Sequence, residues 1–203
     1  LSYEIPSLAS PSPLSGAGYS DADTSGNQQV IISGANFGPA GHTDISVVYG
    51  PASDTSRYTA SSCTVQSQET IHCLTVAGVG TGLLWRVTVG SQNTSLSSQT
   101  SSYAGPVVSE LSGAAANPSG SPTRGGTTII ITGQYFGPKN GHALGNLHVT
   151  YGADGTGYNA SECVVQSQTN ITCTTVPGVG QNHQWKVEIG SQVSDAFTSN
   201  TTS

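Results

Sequence analysis

Four cysteines are the most reactive side chains in this sequence: Cys63, Cys73, Cys163 and Cys173. They bracket two matching stretches, "CTVQSQETIHC" and "CVVQSQTNITC". Folding the first about Gln68 sets Cys63 opposite Cys73 and Val65 opposite Ile71. The second repeats this, with Cys163 opposite Cys173 and Val165 opposite Ile171. Directly opposed residues of an antiparallel ladder have Cα atoms about 4.5–5.5 Å apart, a separation that a disulfide accepts. The register therefore predicts Cys63–Cys73 and Cys163–Cys173 bridges. The rival chemistry is a zinc site, but only His72 lies among the cysteines and no C-x₂-C spacing occurs. Paired cysteines in a chain with no other thiol point to an oxidising, extracellular setting.

A second set of residues could be chemically modified. Asn93, Asn159, Asn170 and Asn200 each begin an N-x-Ser/Thr sequon, whereas Asn117 is followed by proline. Covalent glycans are expected there, and no other cofactor. Asn170, near the tip of the cysteine hairpin, and Asn93, in a turn beyond the tryptophan strand, are both expected to be exposed. The run "IPSLASPSPLSG" (5–16) resembles the hydroxyproline-glycosylated segments of plant and algal wall proteins. It also reads as an extended edge strand in which proline blocks unwanted pairing.

Other chemistry is not supported. "DADTSG" (21–26) matches the start of an EF-hand loop, but the twelfth position is Ile32, where a bidentate glutamate is required. His42 and His142 recur in matching loops, as ligands or as part of a shared turn. There is no G-x-S-x-G elbow, and no Cys–His pairing suggests a nucleophile, because all four cysteines are accounted for by the bridges. A non-enzymatic protein with no metal is expected.

The elements that hold these residues come from a repeat. "VIISGANFGPAGH" matches "IIITGQYFGPKNGH", and "WRVTVGSQ" matches "WKVEIGSQ", at an offset near 100 residues. Each copy is a series of short Val-, Ile- and Thr-rich runs broken by Gly, Pro, Asn and Ser, which read as strands. Trp85, Val87 and Val89 alternate with Arg86 and Thr88; Trp185, Val187 and Ile189 alternate with Lys186 and Glu188. A period of two sends the first set of each to a core. The "VII" and "III" runs suit a more deeply buried strand, and no segment has a helical period. About seven strands per roughly 100 residues predict an all-β chain of two tandem Ig-like β-sandwiches, residues 1–101 and 102–203.

Composition narrows the partners. Charged residues are 8% of the chain, against about 25% in ordinary soluble domains. Five Lys plus Arg and a net charge of −6 give no basic footprint for nucleic acid or an anionic membrane surface. No apolar run approaches the roughly 18 residues of a membrane span. Ser and Thr, roughly a quarter of the chain, are left to hydrate the surface together with attached sugars. There is no signal-peptide pattern and no initiating methionine, so a processed piece or an excerpt is expected.

The order of motifs is itself informative: "TIIITGQYFG", a strand ending in "YG", the Cys-x-Val hairpin closing on "ITCTTVPG", then "WKVEIG". It resembles the IPT/TIG domain, an immunoglobulin-like fold found in plexins, other cell-surface receptors and some transcription factors. The resemblance covers both halves. It implies a sandwich fold, a disulfide where the extracellular members carry one, and a general role in adhesion or spacing, without naming a partner.

One further pattern concerns the ends. "SSYAGP" (101–106) resembles "LSYEIP" (1–6), with Tyr3 matching Tyr103 and Pro6 matching Pro106. Writing "SNTTS" before "LSYEIPSL" recreates the segment between the two copies. This predicts head-to-tail self-association, either as one excerpt of a longer array or as separate subunits stacked in an open filament. Leu1, Tyr3, Pro6, Tyr103, Pro106, Asn200 and Ser203 are its expected carriers. The expected function is a repeating unit of an extracellular fibre or surface stalk. The alternative is an adhesion or receptor module that binds a protein partner through its loops.

Overall fold

In the computed structural model the described residues are 2–116, 120–139 and 146–198. They form two compact units, Leu1–Ala104 (unit 1) and Gly105–Ser203 (unit 2). The break falls after Ala104 rather than after residue 101, because Tyr103 is buried in unit 1 at 1% exposure.

Unit 1 packs two antiparallel sheets. One contains β1 (Ser7–Leu8), β2 (Leu14–Ser15), β3 (Gln29–Ala35), β6 (Ser61–Ser67) and β7 (Thr70–Leu74), in the order β1-β3-β7-β6 with β2 also on β3. The other runs β5-β4-β8-β9, from β4 (Ile45–Gly50), β5 (Tyr58–Thr59), β8 (Leu84–Val89) and β9 (Gln92–Asn93). The Ser-Pro run of residues 5–16 is thus an edge, broken into two short pieces that both pair with β3.

Unit 2 repeats the plan. Its first sheet is β10-β11-β15-β14, from β10 (Val107–Ser112), β11 (Thr128–Gln134), β14 (Ser161–Ser167) and β15 (Asn170–Thr174). Its second is β13-β12-β16-β17, from β12 (His148–Gly152), β13 (Tyr158–Asn159), β16 (Gln184–Ile189) and β17 (Gln192–Val193), with β18 (Phe197–Thr198) also on β16. One 3₁₀ turn, Ala114–Ala116, interrupts the strands.

The cores follow the period of two. Trp85, Val87 and Val89 are buried, as are Trp185, Val187 and Ile189. Tyr49 stacks on Trp85 with ring centroids 4.1 Å apart, and Tyr151 on Trp185 at 4.3 Å. One expectation needs correcting. Within the apolar runs Val30, Ile32, Ile129 and Ile131 are buried, but Ile31 and Ile130 are only half-buried. These strands have one core face, so consecutive side chains diverge.

The cysteine hairpins keep the expected register at Val65↔Ile71 and Thr64↔His72. An extra residue then enters between Ser61 and Thr64, and Ser62 takes φ 50°. Unit 2 has the same bulge between Ser161 and Val164, with Glu162 at φ 51°. Each bridge sits at its bulge, with a Cα–Cα separation of 4.1 Å in both Cys63–Cys73 and Cys163–Cys173.

Candidate functional site

The segment Ser101–Ala104, between the two strand sets, docks on unit 1 through backbone and side chain. Ser101 and Leu83 exchange two backbone hydrogen bonds, and Trp85 Nε1 donates to Ser101 Oγ at 2.7 Å. Ala22 N donates to Ser102 O (3.0 Å), Ala104 N donates to Ala22 O (2.8 Å), and Tyr103 N donates to Gly80 O (2.8 Å). The loop "DADTSG" therefore has a role that its sequence did not announce: it presents buried Ala22 as the pairing edge for this segment. Asp23 holds the loop's turn by accepting from Ser25 N and Oγ, and these bonds lower its pKa below the ordinary carboxylate value.

The Tyr103 ring lies in a slot walled by Tyr58, edge-on with centroids 5.7 Å apart, and by Gly78. A Cβ on Gly78 would come within 2.9 Å of both the Tyr58 and Tyr103 rings, so only glycine leaves room for the pair. The Tyr103 hydroxyl donates to Val76 O at 2.6 Å. Its one proton is then committed, so Tyr49 Oη, 2.6 Å away, donates to it while accepting from Val76 N at 3.0 Å. Every polar group at the bottom of the slot is paired.

Unit 2 has the same walls without the tyrosine. Tyr151, Tyr158, Val176 and Gly178 occupy the places of Tyr49, Tyr58, Val76 and Gly78, and Tyr151, Val176 and Gly178 border a cavity of about 370 Å³. The three atoms nearest a Cβ on Gly178 all belong to the Tyr158 ring. Tyr151 Oη, with no tyrosine to donate to among the described residues, donates to Val176 O itself at 3.1 Å. Val79 is 2% exposed in unit 1, whereas Val179 is 72% exposed in unit 2. At the rim His183 replaces Leu83 and meets the edges of Tyr151 and Tyr158, both at 5.7 Å.

The other expected carriers fall in different places. Pro6 and Pro106 are both buried, while Tyr3 is 78% exposed. Ser7 pairs with Ala35 and Val107 with Gln134, so Ser2–Ile5 precedes its first strand as Ser102–Gly105 precedes β10. Leu1, Asn200 and Ser203 lie outside the described residues, as does His142. Asn93 and Asn159 are exposed. Asn170 is not: it is half-buried, and its Nδ2 donates to Thr169 Oγ1 while its Oδ1 accepts from Thr132 Oγ1. The expectation of an exposed Asn170 is corrected accordingly, since the tight turn folds its amide back onto the hairpin. No group of three or more metal-ligating side chains occurs among the described residues.

Burial raises the pKa values of Tyr49, Tyr58 and Tyr103, and in unit 2 that of Tyr151. A buried tyrosine is neutral when protonated, so folding favours the protonated form. As pH rises the unfolded chain loses its protons first, near pH 10. The stabilisation is whole below about pH 10 and is lost as pH climbs from there toward the raised folded values. Unit 1, with three such rings sharing one cluster, is expected to unfold first in an alkaline titration. Tyrosinate absorbance followed alongside near-ultraviolet circular dichroism will show its ionisation and unfolding as one event.

The sequence model of the IPT/TIG domain matches residues 106–203. No curated protein matches the chain. Among solved structures, a surface glycan-binding protein from Prevotella bryantii is similar over 98% of this chain and 42% of its own, with 16% identity and a TM-score of 0.54. The extracellular region of plexin A4 is similar over 96% of this chain and 18% of its own, with 18% identity and a TM-score of 0.39. The adhesin InvE from Yersinia pseudotuberculosis is similar over 97% of this chain and 58% of its own, with 12% identity and a TM-score of 0.45. The chain spans less than two thirds of each of these structures. No helix among the described residues is long and apolar enough to cross a membrane.

Proposed function

Residues 106–203 belong to the IPT/TIG domain family, the first half of the chain repeats them, and from that premise we propose that this protein is a non-enzymatic, glycosylated structural unit that extends an extracellular fibre or stalk by joining like units end to end. The observation that carries this reading is the seat of Tyr103. The segment that follows one set of strands is bound into that unit by its own tyrosine, and the segment before β1 offers the same tyrosine at the same distance from its strand. A head-to-tail contact of this kind continues as an open filament wherever its rotation does not close a ring. The two disulfides favour an extracellular location, and low charge lets units approach without strong repulsion.

The test is electron microscopy of the purified chain over a range of concentrations, with light scattering in parallel. Growing linear particles are expected. Discrete two-unit particles at every concentration would reject extension and leave the adhesion reading, a module recognising a partner through its loops.

A further inference from the structure

The cavity of unit 2 is bordered by Tyr151, Val176 and Gly178, the counterparts of residues around the occupied slot of unit 1, so the occupant of the one specifies the occupant of the other. Unit 1 shows what the site takes: an extended segment whose tyrosine ring passes edge-on to a second tyrosine, over a glycine, to reach a backbone carbonyl. In unit 2 the glycine (Gly178) and the carbonyl residue (Val176) line about 370 Å³ of space, and the second tyrosine (Tyr158) packs against that glycine. His183 Nδ1, on the rim, is buried without a hydrogen-bond partner among the described residues. Such an atom costs free energy until a partner arrives. Val179 adds an apolar side chain, 72% exposed, whose counterpart in unit 1 is covered.

The chain also carries the matching segment in an exposed state. Tyr3 is 78% exposed and Ile5 65% exposed. Tyr3 stands three residues before Pro6 as Tyr103 stands three before Pro106, and both prolines are buried at the start of equivalent strands.

We propose that the cavity of unit 2 receives Tyr3 of a second copy of this chain. The ring enters beside Tyr158 and over Gly178, and the backbone of Ser2–Ile5 meets Gly180 as Tyr103 N meets Gly80 O, displacing the His183 ring that packs against Gly180 and Tyr158. Tyr151 then donates its hydroxyl hydrogen bond to the incoming hydroxyl, which in turn donates to Val176 O, as Tyr49 and Tyr103 divide these roles in unit 1. This is strand addition anchored by one side chain. It deepens the extension reading by naming the joint.

The test uses the full chain carrying Tyr3→Ala, which removes its own donor ring, and a synthetic peptide of residues 1–6. Backbone amide NMR is expected to show peptide-dependent shifts at Gly178, Val179, Gly180 and His183. A peptide with alanine for tyrosine is expected to bind at least tenfold more weakly, and one with phenylalanine to fall between. Val179→Glu in the full chain is expected to weaken binding at least tenfold with its melting temperature unchanged, since that side chain is exposed. No shift at these residues, or equal binding by the alanine peptide, overturns the proposal. The two readings fail separately. Filaments from the Tyr3→Ala chain as abundant as wild type would retain extension and refute this joint. Peptide capture by a chain that stays in discrete particles would retain the receiving site and refute extension.

Discussion

Replacing Tyr103 by alanine will cost unit 1 about 4 kcal/mol, in the range of large aromatic-to-alanine changes in a core, and leave unit 2 unchanged. The ring is 1% exposed and fills the slot between Tyr58 and Gly78, so truncation opens a cavity that the sheets flanking it cannot close. The segment Ser101–Ala104 also loses its anchor, and with it the backbone partners of Ala22 and Gly80. Calorimetry will resolve this, because each unit supplies its own transition: for a domain of this size such a loss lowers one midpoint by roughly 20 °C. Tyr103→Phe should cost only about 1 kcal/mol. The reason is visible in unit 2, where Tyr151 bonds Val176 O directly and leaves nothing unpaired. Two midpoints falling together in Tyr103→Ala would contradict the assignment of this residue to unit 1 alone.

The second large effect comes from the bridges. Each links residues 10 apart in sequence, and closing a loop of that size stabilises a domain by about 3 kcal/mol on the chain-entropy account. Small domains have only about 5–15 kcal/mol to lose. Reduction, or Cys63→Ala with Cys73→Ala, is therefore expected to lower the urea midpoint of unit 1 sharply. The matching pair Cys163→Ala and Cys173→Ala should act on unit 2 alone, because neither bridge spans both units. A midpoint that does not move on full reduction, confirmed by thiol counting, would show that the hairpins are held by packing alone.

These two sites differ in how well the sequence announces them. The bridges were legible because a hairpin's register is local: Val65↔Ile71 and the turn between Ser67 and Thr70 follow from residues adjacent in the chain. Even so, the bulge at Ser62 was hidden, since a serine with positive φ carries no compositional mark. The tryptophan strands were legible because Trp85, Val87 and Val89 alternate with polar neighbours. The Ile31 and Ile130 positions misled because isoleucine suits the outer face of a strand as readily as the core. Tyr103 was singled out only by its echo in Tyr3. Nothing in "SSYAGP" says that its ring enters a slot formed by Tyr49, Tyr58 and Gly78, because the contact joins residues far apart in sequence. The difference between the units was still less legible. Leu83 against His183 looks like loop variation until Val79 and Val179 are seen covered in one and open in the other.

The parallel pairing of Ala22 with Tyr103 bears on what happens under tension. A pull on the chain beyond Ala104 meets three backbone bonds and a buried ring within three residues: Ala22 N to Ser102 O, Ala104 N to Ala22 O, Tyr103 N to Gly80 O, and the hydroxyl on Val76 O. A load applied there is thus shared by several bonds of one short clamp at once, which is what the proposed end-to-end assembly would need.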